Sequence, residues 1–140
     1  AVALTHPSFI TARAGDGTRN YLHEKAMTDE QLQFCIAHGR KVVRDLNQQG
    51  CTVIGLGEMG IANTSSAALL MHGITGIALD KCIGKGTGLS DQQFKHKQHI
   101  LEQAWNVHGS VQEPYSLLQT YGGFEIAQLC GAMLEAAEQK

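Results

Sequence analysis

Little in this chain marks a disordered, membrane-embedded or nucleic-acid-binding protein. Proline is scarce, with 2 residues against 16 glycines, and 43% hydrophobic against 17% charged residues describes a globular chain rather than a disordered or fibrous one. No block of like charges occurs and the net charge is −2, which argues against a nucleic-acid partner. Neither a signal-peptide pattern nor an apolar run of about 18 residues is visible, so no membrane association is expected and the cytosol is the expected compartment. The four cysteines, Cys35, Cys51, Cys82 and Cys130, are widely spaced and form no CxxC pair. Cys35 and Cys130 fall on apolar helix faces, and the four read as buried thiols. No internal repeat stands out, and 140 residues are enough for one core and a single domain, 1–140.

What the chain does contain is helical periodicity punctuated by glycine. Residues 1–27 have little periodicity and include Gly15-Asp16-Gly17, which predicts an irregular connector with a short helix near Phe9 to Arg13. So long an irregular opening suggests the middle of a longer polypeptide. Thr28-Asp29-Glu30-Gln31 has the form of a capping box, and Leu32, Cys35, Ile36, Val42, Val43 and Leu46 follow at helical spacing, so a helix is expected over 28–48. Residues 51–55 read as a strand, followed by a glycine turn and a helix over 64–72 stopped by Gly73. Gly76 to Asp80 is compatible with a second strand or with the start of another apolar helix. Ser90-Asp91-Gln92-Gln93 is a second capping box, opening a helix that carries Phe94, Leu101 and Trp105 to Gly109. Glu113-Pro114 opens a short helix ended by Gly122-Gly123, and Ala127, Cys130, Met133, Leu134 and Ala137 form an apolar stripe on a last helix. This order indicates an α/β protein rich in helix, with too few strands to complete a sheet.

The chemistry concentrates in Cys51 to Gly60. Val53 and Ile54 end in Gly55-x-Gly57-x-x-Gly60, and a helix opened by Asn63-Thr64-Ser65-Ser66 begins at once. Backbone amides converging on a helix N-terminus suit an anionic ligand, because a phosphate can approach glycine closely and the helix end adds about half a positive charge. With Asp80 twenty residues beyond Gly60, the pattern also matches a dinucleotide fingerprint formally, which leaves a dinucleotide-binding module with Asp80 on a ribose as the alternative. Glu58 weighs against that alternative, since a carboxylate among the glycines repels a pyrophosphate. A tight structural turn gives the same spacing.

Gly84-Lys85-Gly86-Thr87-Gly88 is a second glycine-rich loop without the spacing of a triphosphate-binding loop, so it reads as an anion site or a surface turn. His96, His99 and Glu102 stand at helical spacing, but an exposed polar face has the same spacing, and no metal is expected. Capping is a sufficient reading of Ser65 and Ser66.

Four segments, taken in order, resemble the nicotinate-nucleotide:dimethylbenzimidazole phosphoribosyltransferases. They are Gly17-Thr18-Arg19-Asn20 with Ala26-Met27; Gly57-Glu58-Met59-Gly60-Ile61-Ala62-Asn63-Thr64; Gly86-Thr87-Gly88-Leu89 with Lys97; and Gly122-Gly123-Phe124-Glu125-Ile126-Ala127 with Gly131-Ala132-Met133-Leu134. Ala62 stands where some members carry glycine. The resemblance implies a Rossmann-like α/β enzyme, with a three-layer core of parallel strands and usually a homodimer. Such an enzyme moves phosphoribose from nicotinate mononucleotide to 5,6-dimethylbenzimidazole without a cofactor. By the matched motifs, Glu58 acts as the catalytic carboxylate facing ribose and base. Met59, Gly60, Asn63, Gly86 and Lys97 bind substrate, with Gly86 and Lys97 completing the anion cradle. Members of the family are longer at both ends. The carboxylate usually assigned as principal base is expected beyond Lys140 and part of the benzimidazole pocket before Ala1. Residues 1–140 alone are therefore expected to be an incomplete piece of a larger domain, weakly active or inactive, or a catalytically incomplete nucleotide-binding relative.

Overall fold

The computed structural model describes residues 6, 8–86, 88–109, 111 and 113–139. Among them all regular structure is helical: α1 Asp29–Gln48, α2 Asn63–Thr75, α3 Leu79–Cys82, α4 Asp91–His108, α5 Pro114–Tyr121 and α6 Phe124–Glu138. The helix starts follow local chemistry. Thr28 and Ser90 each accept from the backbone N–H three residues on, and Gln31 and Gln93 return the bond, completing both capping boxes. Glu113 caps α5 through the backbone N–H groups of Tyr115 and Ser116, with Pro114 at the first helical position.

The expected parallel-stranded, Rossmann-like core is contradicted. Residues 51–60 are irregular, and Val53 is 84% exposed. A strand exists only through the ladder it forms with a neighbour, and no second extended segment is paired with this one among the described residues. Ile54 and Leu56 instead line an apolar groove of about 280 Å³ with Val43 of α1 and Ala132, Met133, Ala136 and Ala137 of α6. In the ambiguous 76–80 segment, residues 76–78 are irregular and Leu79 opens the short helix α3. The connector forms no helix over 9–13, yet it is well anchored: Gln31 and Gln128 donate to the carbonyls of Ala14 and Ala12, and Ala26 and Met27 are buried.

Two further expectations change. Gly73 does not end α2, which continues to Thr75 and stops at Gly76 in the left-handed region at φ 70°. Gly73 is needed for packing, because a β-carbon there would lie 2.5 Å from Leu117 Cδ1. On α6, Met133 and Leu134 are half exposed, while Ala127, Gly131, Ala132 and Glu135 turn inward. The reason is close approach to α1. A β-carbon on Gly131 would stand 2.1 Å from the Ile36 carbonyl, so small residues carry this contact and large ones are excluded. Glu135 can be buried there because Arg44 grips it with two hydrogen bonds of 2.8 Å and Arg40 approaches at 3.3 Å.

The remaining core joins α2, α4 and α5 to the connector. Leu69, Leu101 and Leu117 are fully buried, and Trp105 stacks on Tyr121 with centroids 5.4 Å apart. His108 Nε2 lies 2.7 Å from the Tyr21 carbonyl, tying the end of α4 to the connector. No helix of the described residues is long and apolar enough to cross a membrane. Of the cysteines only Cys35 is fully buried; all four are free and the other three are partly exposed.

Candidate functional site

The start of α2 lies between two clefts. The larger, about 960 Å³, is walled by residues 60–65, by Lys85, Gly86 and Leu89 of the second glycine loop, and by Gln92, Gln93, His96 and Lys97 of α4. The smaller, about 380 Å³, is lined by Gly57, Glu58, Phe124, Glu125, Gln128 and Leu129. Asn63 belongs to the first and reaches into the second.

In the larger cleft the fixed charge is Lys97. Its Nζ donates to Thr64 Oγ1 at 3.0 Å and to the Gly84 carbonyl at 3.1 Å, so the ammonium is held between the first turn of α2 and the second glycine loop. Partial burial pushes its pKa below the usual lysine value. The N-terminus of α2, which Lys97 reaches through Thr64, adds partial positive charge to the same cleft. Lys85 is the second cation of the lining, paired with Asp91 at 2.6 Å on the rim. Gly86 has φ 65°, in the left-handed region, where a side chain would be strained. Thr87 lies outside the described residues.

In the smaller cleft two carboxylates share one amide. Asn63 Nδ2 donates to Glu58 Oε2 and, at 3.4 Å, to Glu125 Oε1. Glu125 sits in the first turn of α6, against Gly60 and Gly123, where added β-carbons would come within 2.5 and 2.6 Å of its carboxylate. The glycines of the motif thus make room for a side chain of the protein itself.

The structure therefore brings Gly60, Asn63, Gly86 and Lys97 to the larger cleft and directs Glu58 to the smaller, joined to the first group by Asn63. Met59 is 94% exposed. Asn63 is engaged with carboxylates, a role the motif alone did not indicate. Glu125 and Thr64 were inside the motifs quoted above but not singled out, because their partners are 62 and 33 residues away in sequence. The dinucleotide alternative loses its geometry: among the described residues no strand precedes the glycines, α2 starts three residues after Gly60, and Asp80 lies on the short helix α3. The buried Cys35 thiol is pushed up to about 11 by desolvation, so it stays protonated at neutral pH and offers no nucleophile. Among the described residues no three His, Cys, Asp or Glu side chains converge as a metal site would require.

A lysine fixed in one cleft and a pair of carboxylates in the next are thus the charged groups around the start of α2, and the chain belongs to the phosphoribosyltransferase family, whose profile matches residues 1–140. Within that class it is similar to nicotinate-nucleotide–dimethylbenzimidazole phosphoribosyltransferases. The Photobacterium profundum protein is 46% identical over 136 residues, covering 96% of this chain and 40% of the relative. The Cupriavidus necator protein is 49% identical over 134 residues, covering 96% and 39%. The solved structure of CobT from Thermus thermophilus matches with a TM-score of 0.88 at 27% identity, over 99% of this chain and 42% of that one. The chain spans about two fifths of the length of the curated relatives it matches.

Proposed function

We propose that this chain forms the phosphate-binding and carboxylate part of an enzyme that transfers phosphoribose from nicotinate mononucleotide to 5,6-dimethylbenzimidazole, giving α-ribazole phosphate and nicotinate. The observation that carries the reading is the Lys97 ammonium, fixed by Thr64 and Gly84 in a cleft that the start of α2 also lines. That arrangement supports a phosphate monoester through a charge-assisted bond and a helix end.

The chemistry needs few further groups. A nitrogen of the incoming base attacks the anomeric carbon, the bond from that carbon to the pyridinium nitrogen breaks, and its electron pair returns to a neutral pyridine ring. The leaving group is already activated, so no metal is called for. The base must lose its N–H proton to a carboxylate, and the reacting atoms must be aligned while the phosphate is held. In this reading Lys97, Gly86 and the amides near Met59 and Gly60 hold the phosphate, while Glu58, steadied by Asn63, faces the ribose and base.

The same reading makes residues 1–140 one domain of a cytosolic homodimer with neither nucleic acid nor membrane as partner; a net charge of −2 is in keeping with this. Titration with nicotinate mononucleotide and with NAD provides the test. Tighter binding of the mononucleotide is expected, and a preference for NAD refutes the proposal.

A further inference from the structure

The geometry points to Thr64 as the positioning residue of the anion cradle: its hydroxyl oxygen, not the lysine's own packing, aims the Lys97 ammonium into the larger cleft. This rests on the reading of that cleft as a phosphate site.

A lysine ammonium has three N–H donors on a flexible four-carbon stem, so where it points depends on what accepts from it. Two of the three are committed, to Thr64 Oγ1 at 3.0 Å and to the Gly84 carbonyl at 3.1 Å. These acceptors come from different walls of the cleft, which leaves the third donor for an anion between them. Both acceptors are neutral, so they orient the charge without cancelling it. Capping does not account for Thr64. The N-cap position of α2 is Ala62 and no side-chain oxygen caps the helix. Thr64 Oγ1 makes no bond as a donor among the described residues, so its own hydrogen is available to the same anion. The loop side is close as well: a β-carbon on Gly86 would lie 3.6 Å from Thr64 Oγ1, so the hydroxyl stands where α2, the loop and α4 meet.

The test uses Thr64→Val, which removes the hydroxyl at nearly constant shape, and Thr64→Ser, which restores it. Because Thr64 is exposed, both variants should fold, and Thr64→Ala is read in the same way as Thr64→Val. The first measurement needs no ligand: the acetylation rate of Lys97 is followed residue by residue by mass spectrometry, with the exposed Lys81 and Lys95 as internal standards. Loss of an acceptor frees the amine and disfavours its charged form, so Lys97 should label about threefold faster or more in Thr64→Val, at the wild-type rate in Thr64→Ser, and Lys81 and Lys95 should not change. The second measurement is the affinity for nicotinate mononucleotide, expected to weaken about five- to tenfold in Thr64→Val and to recover in Thr64→Ser. Unchanged Lys97 labelling in Thr64→Val, or labelling raised equally in Thr64→Ser, overturns the inference. The expected labelling pattern in a wild-type chain that fails to bind the mononucleotide supports the Thr64–Lys97 relation and refutes the phosphate reading of the cleft instead.

Discussion

Replacing Gly39 by alanine sets two physical effects against each other. Gly39 lies in the interior of α1, where helix propensity alone favours alanine by about 1 kcal/mol. Against that, a β-carbon at Gly39 would stand 2.0 Å from the Gln128 carbonyl oxygen and 2.9 Å from the Ala132 amide nitrogen of α6. Both are backbone atoms, so no rotamer change relieves the contact, and the helices must separate by roughly 1 Å in a close-packed interface. Separation also loosens Leu32, Cys35 and Val43 of α1 against Ala127 and Ala132 of α6, and overpacking of this kind costs about 3 kcal/mol at the upper end of its usual range. The net loss is about 2 kcal/mol, which for a chain of this size lowers Tm by roughly 6–10 °C. A far-UV circular dichroism melt at neutral pH measures it. A Tm equal to or above wild type refutes the packing argument and leaves propensity in command. The perturbation should also reach the site, since Glu125 rides on the first turn of α6 and its long bond from Asn63 is the first to be lost.

Three other outcomes are expected. The Arg44 guanidinium, the Gln139 amide and the Arg40 guanidinium hold the Glu135 carboxyl down to about 2. Its folded value is below the ordinary carboxylate value, so its stabilisation is complete above that value and is lost as pH falls toward 2. Glu135→Gln should therefore melt lower at neutral pH and lose less Tm between pH 4.5 and 2; equal acid slopes would contradict this. Lys97→Ala should weaken nicotinate mononucleotide binding about tenfold by calorimetry, the loss of one charge-assisted bond, and an unchanged affinity removes Lys97 from the site. Ala62 holds φ 68°, a left-handed conformation that strains an L side chain. Ala62→Gly should therefore raise the stability measured by urea denaturation by about 0.5–1 kcal/mol, and a fall shows that the strain is not relieved by glycine.

What the sequence determined by itself was local. Thr28 and Ser90 announce α1 and α4 because a capping box is written within four residues, and Glu113-Pro114 announces α5 through a capping carboxylate followed by proline at the first helical position. The order of short motifs was enough to indicate the family, because glycines with Glu58, Asn63 and Lys97 in register are a pattern along the chain. Tertiary structure decided the rest. A run such as 51–55 becomes a strand only when a neighbour accepts its backbone hydrogen bonds, and nothing within the run states whether one is there. The inward face of α6 was misread because periodicity rewards large apolar residues, whereas the distance between α1 and α6 selects Gly131 and Ala132 and buries Glu135 on its arginines. The site followed the same division. Gly60 and Lys97 could be named from motifs, but the sharing of Asn63 between Glu58 and Glu125, and the hold of Thr64 on Lys97, arise from side chains that only folding brings within hydrogen-bonding distance.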